Sequence, residues 1–135
     1  MIDKDAVVAL LRRIFHGGQL RRLPKKREDA DVLMALSLSG LDRDGIFDET
    51  QINVHLSAWL DDISTQDSLD YVTLRRDLVD SGFLRRASDG FVYRIQPDRI
   101  REVLSSEACA VDPKEIFAEV QSARDQRRRS FGQRS

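Results

Sequence analysis

The sequence predicts a mainly helical fold with a small β-hairpin, organised as a winged helix-turn-helix with added N- and C-terminal helices. Three observations predict it. Apolar residues recur at helical spacing in several segments that end at glycine, as Tyr71, Leu74 and Leu78 do before Gly82. The pair Ile46-Phe47 stands between two such segments and is too short for more than a single pairing strand. Phe83-Leu84-Arg85-Arg86 and Phe91-Val92-Tyr93-Arg94-Ile95 then read as two strands joined through Asp89-Gly90, a common hairpin-turn pair.

Taken in order, a first helix spans Asp3 to Phe15, with Val7, Leu10, Leu11 and Ile14 on one face and Gly17-Gly18 as its stop. Leu23-Pro24-Lys25-Lys26 cannot continue a helix and reads as an extended connection into a second one, whose apolar face holds Val32, Leu33, Leu36 and Leu38 and which Gly40 ends. After Ile46-Phe47, Asp48 is an N-cap and Gln51, three residues on, completes a variant capping box; Ile52, Leu56, Trp59 and Leu60 form the inward stripe of that third helix. Asp61 to Ser68 is a polar loop, and a fourth helix runs from Tyr71 to Gly82. Beyond the hairpin, Pro97-Asp98 opens a short helix with Ile100, Val103 and Leu104, and Asp112-Pro113 opens a last one with Ile116, Phe117 and Val120. Arg124 to Ser135 reads as an arginine-rich tail, disordered at its end. The division is residues 1–19, an N-terminal helix; 20–95, the winged-helix domain; and 96–135, the C-terminal helices and tail.

At 135 residues one domain buries a core without disulfide or metal staples. The apolar run Ala6 to Leu11 is far short of the roughly 20 residues a membrane helix needs, and no signal peptide is visible, so a cytoplasmic protein off the membrane is expected. The single cysteine, Cys109, agrees with a reducing compartment. A net charge of −1 hides segregation: Met1 to Arg27 carries +6, Glu28 to Asp70 −10, Tyr71 to Arg101 +3, and the remainder zero. Such blocks orient a charged partner or pair with one another in the fold.

Four stretches in order, "LRRLPKKRED" at Leu20 to Asp29, "FDETQINVHL" at Phe47 to Leu56, "YVTLRRDLVDSGFLRR" at Tyr71 to Arg86 and "DGFVYRI" at Asp89 to Ile95, resemble the bacterial domain of unknown function 2087 family. The resemblance spans Leu20 to Ile95. It implies a small winged-helix unit and, because some members are joined to transcription-regulator-type DNA-binding domains, a role in regulation. It carries over no catalytic residue.

In a winged helix the helix before the hairpin enters the major groove. Stepping by about 100° per residue, Tyr71, Leu74, Leu78, Val79 and Val72 share the core face, while Thr73, Arg76, Asp77 and Asp80 face water. Two aspartates on that surface disfavour contact with phosphates and count against ordinary major-groove readout. Arg75 falls on the core side, where a guanidinium must be paired: either it bonds an acid such as Asp48 or Glu49 and sets the angle between helices, or it joins Arg76 as a phosphate clamp. On the hairpin, Arg85, Arg86 and Arg94 decorate the wing, either as phosphate contacts or as a charged edge that discourages aggregation, while Phe91, Tyr93 and Ile95 are expected to pack on the helices. The cluster "RRLPKKR", with Arg21, Arg22, Lys25, Lys26 and Arg27, tracks a phosphate backbone or neutralises the acidic block after it.

Catalytic constellations are sparse. His16, His55 and Cys109 lack zinc-site spacing, "DRDGIFDET" departs from a calcium loop at Ile46 and Phe47, and Gly17-Gly18 is not followed by the Lys-Ser or Lys-Thr of a phosphate-binding loop. No enzyme, metal or cofactor is expected. The expected function is transcriptional regulation through nucleic-acid binding, mainly by phosphate contacts from Arg21, Arg22, Lys25, Lys26, Arg27, Thr73, Arg76, Arg85, Arg86 and Arg94. The alternative is a winged-helix protein-interaction or homodimerisation module, with Leu10, Leu11, Ile14, Phe117 and Val120 as its surface.

Overall fold

The computed structural model describes residues 1–65 and 69–132, with side chains through Ser130. Gln66 to Ser68 of the expected polar loop, and the last three residues of the expected tail, lie outside the described residues. Six helices and a three-stranded antiparallel sheet follow one another as α1 (Lys4–Phe15), α2 (Arg27–Ser37), β1 (Ile46–Asp48), α3 (Glu49–Leu60), α4 (Tyr71–Asp80), β2 (Leu84–Arg86), β3 (Val92–Ile95), α5 (Pro97–Val103), a 3-10 turn at Ala108–Ala110, and α6 (Pro113–Gly132). None of the described helices is long and apolar enough to cross a membrane.

Local chemistry sets the element boundaries. Asp3 accepts from the Ala6 amide at 2.9 Å and starts α1. Asp48 and Gln51 exchange side-chain and backbone bonds, each 2.8 Å, in the capping box at the start of α3. Asp70 accepts from the Thr73 amide at 2.7 Å and starts α4. The exit from α4 is a Schellman arrangement: the Gly82 amide returns to the Val79 carbonyl at 3.1 Å and the Phe83 amide to that of Leu78 at 2.9 Å, with Gly82 at φ +83°. Leu78 and Phe83 are both fully buried, so the turn that ends the helix also aims β2 into the core.

β3 lies between the other two strands, giving the order β1-β3-β2. Phe47 pairs with Tyr93 on one side, and Arg86 with the same Tyr93 on the other. Side chains alternate across a sheet. Tyr93, Ile95 and Leu84 go inward, while the neighbouring pairs leave Ile46, Arg94 and Arg85 in a row on the outward face. The core runs through all six helices: Leu11, Phe15, Leu33, Leu36, Ile52, Leu56, Leu74 and Leu78 are fully inaccessible, and α2 is buried continuously from Val32 to Ser37.

Three expectations are corrected. Phe91 does not pack on the helices. Strand pairing begins only at Val92, the loop closes with the Ala87 amide on the Val92 carbonyl at 2.8 Å, and Phe91 is left 77 % exposed at its end. Tyr71, assigned to the core face, is exposed at the start of α4. The arginine-rich segment continues α6 as helix through Gly132, with every residue from Ser122 to Ser130 exposed. The surface named for a dimer is also used within the chain: Leu10 and Leu11 are buried, and Phe15 meets Phe117 edge to face at 5.2 Å where α1 packs against α6.

Candidate functional site

The segregated charges divide into those the fold consumes and those it leaves free. Arg75, with its side chain 14 % exposed, pairs with Glu49 at 3.1 Å and bonds Asn53, tying α4 to α3. This is the structural role anticipated for it, and it removes Arg75 from the surface. Arg99 on α5 pairs with Asp31 on α2 at 3.1 Å, donates to the Ser81 carbonyl at 2.9 Å, and lies 4.5 Å over the Phe83 ring. Arg13 reaches Asp29 at 3.3 Å. Basic segments and the acidic block between them therefore meet inside the fold at several points.

The hairpin arginines escape this pairing. Among the described residues, the ion pairs involve neither Arg85, Arg86 nor Arg94. Arg85 and Arg94 are direct cross-strand partners, a placement of like charges that costs stability when no anion lies between them. Arg86 donates to the Gly90 carbonyl at 3.3 Å and so folds back over the turn. Together with Ala87 and Ser88, the three arginines line a concavity of about 440 Å³. Gly90 at φ +79° permits the turn, and Asp89 accepts from the Phe91 amide at 3.0 Å, which fixes the backbone that presents the aromatic ring.

The helix before the hairpin has the opposite character. Thr73, Arg76 and Asp80 are exposed, as the helical spacing predicts, whereas Asp77, expected to face water, is half-buried. Burial, and then the nearby Asp80 charge, push the Asp77 carboxyl above its ordinary value. At the other end of α4 the Thr73 amide, and after it the Thr73 hydroxyl, hold the Asp70 carboxyl below the ordinary value, with a lesser contribution from Arg76.

Arg21, Arg22, Lys25, Lys26 and Arg27 are all exposed, and within the cluster only Lys26 has an ion pair among the described residues, with Glu28 at 3.6 Å. The structure does not join this cluster to the hairpin loop. Leu20, just before it, bridges to Ser64 beyond the C-terminal end of α3, whereas Val92, at the root of the loop, pairs with Asp48 at the N-terminal end. α3 is 12 residues long, or about 18 Å, so the two basic segments are attached at opposite ends of that helix.

The titratable groups considered for chemistry stay apart. His16 is exposed beyond α1, His55 bonds the Ser37 carbonyl at 2.8 Å, and Cys109 receives a bond from Arg43 at 3.1 Å. No cluster of three potential metal ligands occurs among the described residues. The exposed ring of Phe91 is the feature sequence reasoning missed; the signal available was the Asp89-Gly90 turn immediately before it, which placed Phe91 in the loop rather than the strand.

Comparison with known proteins agrees with the four stretches noted in the sequence. The model of the DUF2087 family, described as an uncharacterized protein conserved in bacteria, matches residues 19–95. No curated protein and no solved structure matches the chain. The matched segment takes in α2, the whole sheet, α3 and α4, and covers more than half of the chain. The chain belongs to the DUF2087 family.

Proposed function

We propose that residues 20–95 form a winged helix and that the chain is a non-enzymatic regulator of transcription that binds nucleic acid mainly through phosphate contacts. The order α2, β1, α3, α4, β2, β3, with the first strand on the far side of β3, supports the winged-helix reading. The observation that carries the binding reading is the concavity of Arg85, Arg86 and Arg94, three arginines on one hairpin that form no ion pair among the described residues. Like charges held together without a carboxylate are a surface prepared for an anion, and a phosphate accepts the bidentate bonds that guanidinium offers. Arg21, Arg22, Lys25, Lys26 and Arg27 form a second basic segment, and Thr73 and Arg76 add donors on α4.

Salt titration of binding to a labelled oligonucleotide tests this. Affinity should fall with a log-log slope of about −0.9 per phosphate on duplex, or about −0.7 on single strands. Arg85→Ala combined with Arg94→Ala should flatten the slope by about 1.4 to 1.8 units if both touch phosphate. Absence of binding at low salt would overturn the reading. A second reading, a protein-interaction module, is favoured by one observation: Val54, 65 % exposed, and Tyr71 line a shallow groove between α3 and the start of α4. Light scattering after size exclusion would detect a homodimer formed through it.

A further inference from the structure

We propose that the hairpin end is a stacking platform for an unpaired base, with Phe91 as the platform and Arg85, Arg86 and Arg94 holding the flanking phosphates, so that the chain prefers single-stranded nucleic acid to duplex. This rests on the nucleic-acid reading and names the class of partner. Phe91 is 77 % exposed, the largest apolar surface among the described aromatic residues, yet its backbone is fixed by the Asp89 bond and by the turn at Gly90. With its backbone fixed, the ring has only its two side-chain torsions to order when a base covers it, and every base offers a π-face to an aromatic side chain.

Charge selects the occupant. Arg86 bonds the carbonyl of Gly90, the residue before Phe91, and lines the arginine concavity, so the ring and the cations belong to one short stretch of chain. A protein partner seated on Phe91 would have to bury or neutralise three guanidinium groups, whereas a nucleic-acid strand supplies phosphates at each step beside its bases. Duplex fits less well. Docking a winged helix in a major groove would bring α4 to the phosphates with Asp80 exposed and Asp77 half-buried beside it. An unpaired strand needs only the hairpin.

The test compares the full chain on a labelled oligothymidylate of about 12 nucleotides and on a duplex of equal length, by fluorescence anisotropy at several salt concentrations. The expected result is tighter binding of the single strand. Phe91→Ala should weaken it about tenfold without changing the salt slope, and Phe91→Trp should retain it. Because the side chain is exposed, neither substitution touches the core. Equal or tighter binding of duplex, or a single-strand affinity indifferent to Phe91→Ala, would overturn the stacking platform and leave the phosphate reading standing. Failure of both oligonucleotides to bind at low salt would overturn both.

Discussion

α4 and the hairpin that follows it are separated by three residues and have opposite surfaces. α4 buries Leu74 and Leu78 completely, ties Arg75 to Glu49, and exposes Asp80 beside a half-buried Asp77. The hairpin buries Tyr93 and Ile95 on one face and leaves Arg85 and Arg94 on the other, with Arg86 and Phe91 exposed toward its loop end. One element spends Arg75 on internal geometry and leaves only Arg76 exposed beside its acids; the other keeps all three of its arginines in solvent. On the proposed reading, the helix that a winged fold ordinarily offers to nucleic acid is a stabilising element, and contact with an anionic partner falls to the β-ribbon.

Substitutions that remove comparable groups from the two regions should therefore give opposite readouts. The largest effect is Leu78→Ala, which should destabilise by about 2–5 kcal/mol in urea unfolding, because the side chain is fully buried and anchors the helix exit against Phe83. Arg75→Met should cost about 1.5–3 kcal/mol through loss of charged hydrogen bonds to Glu49 and Asn53, with oligonucleotide affinity unchanged. If affinity fell and stability did not, α4 would share the binding role and the contrast would fail.

Smaller effects sharpen the same contrast. Asp70→Ala removes the cap of α4 and should cost about 1 kcal/mol. Its carboxyl titrates below 3.8 in the folded chain, so the stabilisation is complete above that ordinary value and disappears as pH falls through the lower folded one. Asp77 has the reverse sign: its folded value lies above 3.8, the native state takes up the proton first, and stability declines as pH rises through that value. Asp77→Asn should raise the unfolding free energy in urea slightly at neutral pH, by no more than about 0.5 kcal/mol, and give no gain in acid. Phe91→Ala, although it deletes a whole aromatic ring, should change stability by less than about 0.5 kcal/mol.

The elements most legible in the sequence are those determined by neighbours within one turn. The capping box of Asp48 and Gln51, the stop at Gly82 and proline at the start of α5 all depend on residues no more than a few positions apart. An acidic partner for Arg75 was also legible, because a guanidinium on an apolar face requires one, but the choice between Asp48 and Glu49 was settled only by the fold, in favour of Glu49. Phe91 was misplaced because alternation assigns it the parity of Tyr93 and Ile95, whereas the four-residue loop after Ala87 removes it from the strand. The extent of α6 was missed for a different reason: its end buries no apolar face, so continuation rests on the helical tendency of arginine and glutamine, which periodicity does not register. The Arg99 pairing with Asp31 joins positions far apart in the chain, and only the closed fold brings them together. Of the candidate binding residues, exposure was legible throughout; that the cluster around Pro24 and the hairpin loop attach to opposite ends of α3 was not.

Asp48 closes β1 and at the same time caps α3. A single residue thus couples the ribbon to the helix that carries Glu49, and Glu49 in turn grips Arg75. The ribbon is consequently not a free flap: its edge strand runs directly into α3, and sheet and helix share Asp48 as a common residue.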